Sequence, residues 1–63
     1  MDELIRRLEA INTSLLCRTE LIFWANSCGY VRALIEYEVD PTPGVLTEIY
    51  GSLENYERIV NGT

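Results

Sequence analysis

The fold turns on how SCGYVRALIEYEVDPTPG, residues 27–44, is read. With a period of two, Val31, Ala33, Ile35, Tyr37 and Val39 alternate with mostly polar neighbours, the pattern of a half-buried strand. With a period of 3.6, Tyr30, Val31, Ala33, Leu34, Ile35 and Tyr37 fall within about 200° of arc, an acceptable helix face. Ser27-Cys28-Gly29 reads as the turn that opens the segment, Gly29 suiting the position just past a helix end. Asp40-Pro41-Thr42-Pro43-Gly44 closes it, because two prolines and a glycine interrupt any regular element.

Before this stretch, Leu4, Leu8, Ile11, Leu15 and Ile22 keep a spacing of 4, 3, 4 and 7, a helical stripe interrupted at Arg18. Ile5, Leu16 and Phe23 form a second stripe about a third of a turn away, which widens the apolar face. The spacing predicts a helix from Asp2, whose carboxylate suits the positive end of the helix dipole, to Asn26. Asn12-Thr13-Ser14 are three poor helix formers in a row, a place where it bends or breaks. Leu21 to Ala25 is apolar all round, which marks the middle of a core or a surface shared with another chain. A rod of 25 residues is about 37 Å long, too long for one small globule, and dimerisation along it resolves the misfit.

After the stretch, a helix starting at Pro43, with Thr42 as N-cap, gathers Val45, Leu46, Ile49, Tyr50, Leu53, Tyr56, Ile59 and Val60 on one half of the wheel. Asn61-Gly62 supplies the stop. Gly51 and the β-branched Val45, Thr47 and Ile49 stand against a helix. The preferred architecture is all-α: one domain over residues 1–63, a long N-terminal helix packed with two shorter ones as a dimeric helical bundle. The alternative is α+β in α-β-β-α order, with strands over about 30–39 and 45–50 and a last helix capped by Ser52; a lone hairpin is marginal without further support.

Composition narrows the function. A 63-residue chain hides only about 60% of its unfolded surface and needs help from good helix packing or a second copy. It has two cysteines, no histidine and no lysine, so nucleophilic and acid–base catalysis lack their usual groups. No apolar h-region at the start suggests export, and no apolar run approaches the roughly 20 residues of a membrane span. A reducing cytoplasm is the expected setting, and Asn12-Thr13-Ser14 and Asn61-Gly62-Thr63 match the glycosylation pattern by chance. Cys17 and Cys28, about 16 Å apart on a continuous helix, do not bridge and read as small buried residues.

The charge is segregated. Residues 1–32 hold four acids and four arginines; residues 33–63 hold Glu36, Glu38, Asp40, Glu48, Glu54 and Glu57 against Arg58, and so carry the whole net charge of −5. Asp2 with Arg6 and Glu3 with Arg7 are acid-before-base pairs four apart, which points to a solvated helix face rather than a nucleic-acid patch. The expectation is a non-enzymatic module with no cofactor, metal or catalytic residue. It acts stoichiometrically, as inhibitor or adaptor, on a larger protein with a basic surface, and binds neither nucleic acid nor membrane. The expected contacts are Tyr30, Glu36, Tyr37, Glu38, Asp40, Glu48 and Glu54, aromatic anchors among carboxylates. Size and acidity suit the inhibitors that phages and other mobile elements direct at nucleic-acid-handling defence complexes. The alternative is an assembly element that self-associates through Leu4, Leu8, Ile11, Leu15, Arg18, Ile22 and Trp24, while Phe23 sits in the core.

Overall fold

The computed structural model describes residues 1–62; Thr63, and with it the end of the Asn61-Gly62-Thr63 pattern, lies outside the described residues. Three helices follow one another, α1 over Asp2–Glu9, α2 over Arg18–Tyr37 and α3 over Pro43–Asn61, with a 3-10 turn at Thr13–Leu15 between the first two. No strand occurs among the described residues; of the two strand candidates, 30–39 is helical as far as Tyr37 and 45–50 is helical throughout.

The continuous helix expected over Asp2–Asn26 is two helices. The break falls at the three poor helix formers, where the Asn12 side-chain oxygen accepts from the Ser14 backbone N–H at 3.3 Å and from the Ser14 hydroxyl at 2.6 Å. These local bonds offer the backbone an alternative to the helical ladder. The chain re-enters a helix at Arg18, after Cys17, whose N–H donates to the Glu20 carboxylate at 2.8 Å. That carboxylate satisfies one of the donors a helix start leaves open.

The turn expected at Ser27-Cys28-Gly29 is absent, since α2 runs straight through it. Trp24, Ser27, Cys28, Val31 and Leu34, at intervals of 3, 1, 3 and 3, fall on one helix face, and all but the half-buried Trp24 are buried. Packing of that face outweighs the roughly 1 kcal/mol that a mid-helix glycine costs. The Ser27 hydroxyl turns back into the helix, donating to the Phe23 carbonyl at 2.9 Å. The real end is Glu38, in the left-handed region at φ 53°, where the Glu38 and Val39 N–H groups return to the Ile35 and Leu34 carbonyls.

Thr42 is the N-cap of α3 and Pro43 follows it, as the spacing predicts, but the Thr42 side chain makes no capping bond. The Thr42 N–H instead donates to the Tyr30 hydroxyl at 3.3 Å, tying the α2–α3 connection to α2. The core joins Leu4, Leu8 and Ile11 to Cys28 and Val31 of α2 and Ile49, Leu53 and Tyr56 of α3. Short as it is, α1 makes the most extensive packing in this bundle of 36 by 20 by 19 Å, lying along α2, with α3 set against both.

Candidate functional site

A helix laid against two others covers one side of their seam. With α1 seated on the core side, the opposite side of the α2–α3 seam stays open as a groove of about 210 Å³. Phe23, Asn26 and Tyr30 of α2 face Val45, Glu48 and Ser52 of α3 across it. Beyond Phe23 the groove continues past Thr19, Glu20 and Asn55. Phe23 thus stands at the division between the two stretches and is 60% exposed. The core position expected for it is wrong: the face of α2 that turns inward is centred on Trp24, Ser27 and Val31, and Phe23 falls at its edge. No arginine lines either stretch.

The α2–α3 connection forms an acidic corner. Tyr37 is 70% exposed, and Glu38 and Asp40 are exposed beside it in the chain. Tyr30 and Glu48 lie in the groove itself. Of the seven expected contacts, Tyr30, Tyr37, Glu38, Asp40 and Glu48 therefore belong to the groove and its adjoining corner. Glu36 lies about 140° around α2 from Phe23, and Glu54 about 120° around α3 from Glu48, so both point away from the groove.

Two ion pairs occur among the described residues. Arg7 reaches across to α3 and holds Glu57 through two bonds, Nε to Oε2 at 3.0 Å and Nη2 to Oε1 at 2.6 Å, and Arg32 of α2 pairs with Glu9 of α1. Neither the Asp2–Arg6 nor the Glu3–Arg7 ion pair expected along α1 forms among the described residues; Arg7 takes a bidentate partner on another helix instead. The hydrogen bond from Arg7 holds the Glu57 carboxyl below its ordinary value, and the bonds to Glu57 and Glu9 raise the two guanidinium groups. Of the six acids in the second half, Glu57 alone is neutralised in this way; Glu36, Glu38, Asp40, Glu48 and Glu54 have no ion-pair partner among the described residues.

The self-association stripe is taken apart by the fold. Leu4, Leu8 and Ile11 are buried within the chain's own core and offer no surface. Leu15 lies in the 3-10 turn and is 43% exposed, while Ile22 and Arg18 are exposed on α2. Trp24 is half-buried against the core, and its indole N–H donates to the Leu8 carbonyl at 2.7 Å, satisfying a carbonyl at the end of α1. The stripe fails as one surface because the break at 10–17 lets α1 fold back onto α2.

Chemically reactive groups are sparse. Cys28 is buried, and loss of hydration raises its thiol above the ordinary value, which makes it a poor nucleophile; Cys17, against expectation, is exposed. Burial likewise raises the Tyr56 phenol, with Ser52 working in the opposite direction. No group of three or more potential ligands is placed to hold a metal among the described residues, and none of their helices is long and apolar enough to cross a membrane. No family model, curated protein or solved structure matches this chain.

Proposed function

We propose that this chain is a non-enzymatic binding module that seats its α2–α3 groove and the adjoining acidic corner on a basic surface of a larger protein. The observation that carries this reading is the conjunction of exposed aromatic side chains, Phe23 and Tyr37, with unneutralised carboxylates at Glu38, Asp40 and Glu48. Aromatic side chains anchor interfaces through desolvation, whereas the carboxylates select a basic partner and speed its capture. Proteins that handle nucleic acid present basic surfaces to phosphate, which makes them the natural class of target, and an inhibitor encoded by a phage or mobile element fits this mode of action. Binding is stoichiometric, blocking or bridging rather than converting the partner.

Affinity capture from lysate followed by mass spectrometry identifies the partner, and the triple variant Glu38→Lys, Asp40→Lys, Glu48→Lys tests the contact. The expected result is loss of capture by the triple variant, with circular dichroism unchanged because all three residues are exposed. Wild-type affinity is expected to fall as salt rises from about 0.05 M to about 0.5 M. An affinity indifferent to both changes defeats the reading.

A further inference from the structure

The side of α2 turned away from both neighbouring helices carries Arg18, Ile22, Ala25, Gly29, Ala33 and Glu36, at intervals of 4, 3, 4, 4 and 3 that keep them on one face. All six are exposed, and Ile22 is a large apolar side chain left 55% in solvent. The face has a direction: cationic and bulky at its start, small in the middle, anionic at its end. Arg18 and Glu36 are about 27 Å apart along the helix and do not meet. Neither has an ion-pair partner among the described residues, whereas Arg32, at the edge of this face, is already engaged by Glu9.

A face with this direction is complementary to its own reverse. We propose that the outer face of α2 is a self-association surface on which a second copy of this chain packs antiparallel. With the two helices centred level with Ser27, Arg18 meets Glu36 of the partner subunit, and two-fold symmetry repeats the ion pair at the other end. Ile22 lies over Ala33 of the partner subunit, so bulk meets a small residue. Ala25 meets Gly29 of the partner subunit at the crossing, where the absence of large side chains lets the helices approach closely. The parallel arrangement is disfavoured, because it sets Arg18 against Arg18, Glu36 against Glu36 and Ile22 against Ile22. This surface uses no residue of the α2–α3 groove, so it stands or falls independently of the partner proposed above.

The test is sedimentation equilibrium over a wide concentration range with four proteins: wild type, Arg18→Glu, Glu36→Arg and the double variant. The expected result is a concentration-dependent dimer that each single reversal weakens about tenfold, since symmetry makes every substitution twice, and that the double reversal restores. All the changed side chains are exposed, so circular dichroism should match wild type throughout. A nitroxide on the exposed Cys17, with the buried Cys28 left unlabelled, reads the orientation. An antiparallel pair sets the two labels about 30 Å apart, and a parallel pair brings them together at one end. A protein monomeric up to about 1 mM, a double variant no better than the singles, or a short distance between labels overturns the proposal. So does a dimer that ignores the charge reversals and is lost on Phe23→Ser, which would move self-association into the groove.

Discussion

Trp24 shows how one side chain joins two helices. Its indole packs against the core while its N–H serves the Leu8 carbonyl, which otherwise has only a longer bond, 3.3 Å, from the Ile11 N–H. Trp24→Phe keeps a ring and removes the donor, so the expected cost is about 1–2 kcal/mol. In urea this should appear as a lower midpoint at unchanged slope; an unchanged midpoint would mean that the Leu8 carbonyl finds water instead. Glu38 presents the opposite case, a residue whose backbone is less favourable than its replacement. Its φ of 53° costs a side-chain-bearing residue about 1 kcal/mol, which glycine avoids. After allowing for the greater freedom of glycine in the unfolded chain, Glu38→Gly should stabilise the fold by about 0.5 kcal/mol, whereas Glu38→Ala should not. Thermal melts of the two variants separate the backbone effect from loss of the carboxylate, which both remove.

Among the elements, α3 was the most legible. Its proline at N1, its apolar half-wheel and its stop at Asn61-Gly62 all appear as read, with Ile49, Leu53 and Tyr56 buried and Val45 and Tyr50 exposed at the edges. Gly51, which weakened that reading, lies on its outer side with nothing within 4 Å of where a Cβ would stand. Gly51→Ala should therefore stabilise by about 1 kcal/mol through helix propensity alone, as a rise in melting temperature; a fall would show an unseen close approach. A bend or break after α1 was also written locally, in Asn12-Thr13-Ser14. The span of α2 was not. Gly29 looks like a stop and residues 30–39 alternate like a strand, so the local signals conflict. They are resolved only because Cys28, Val31 and Leu34 are buried on the inward face of the same helix. The error at Phe23 follows from the same misreading, since a helix restarted at Arg18 and continued to Tyr37 turns Trp24 inward and leaves Phe23 at the groove.

Over the whole molecule, the charge segregation largely survives folding, with Glu57 as the exception. Its carboxyl is held below the ordinary value of 4.5 by Arg7, so the contact stabilises the folded state fully above that value and is lost as pH falls through the depressed one. The Arg7–Glu57 contact should thus contribute to the acid limb of stability below about pH 4.5, and Glu57→Gln should flatten that limb while leaving the carboxylates of the groove untouched. Denaturant midpoints measured between about pH 3 and pH 7 check this; parallel curves for the two proteins would show that the pair adds nothing.

The sequence by itself determined the helical periodicity of the first and last segments, the stop at Asp40–Gly44 and the acidity of the second half, because periodicity, turn chemistry and charge are local properties; that Asn12–Ser14 ends a helix the spacing carried on to Asn26 was decided by the fold. Only the tertiary structure decided which apolar residues were spent inside. Folding α1 back onto α2 buried Leu4 and Leu8, left Ile22 and Phe23 in solvent, and drew Glu57 out of the acidic set through an arginine 50 positions away. Such choices depend on which helix faces meet, and a face is assigned only once its neighbours are in place.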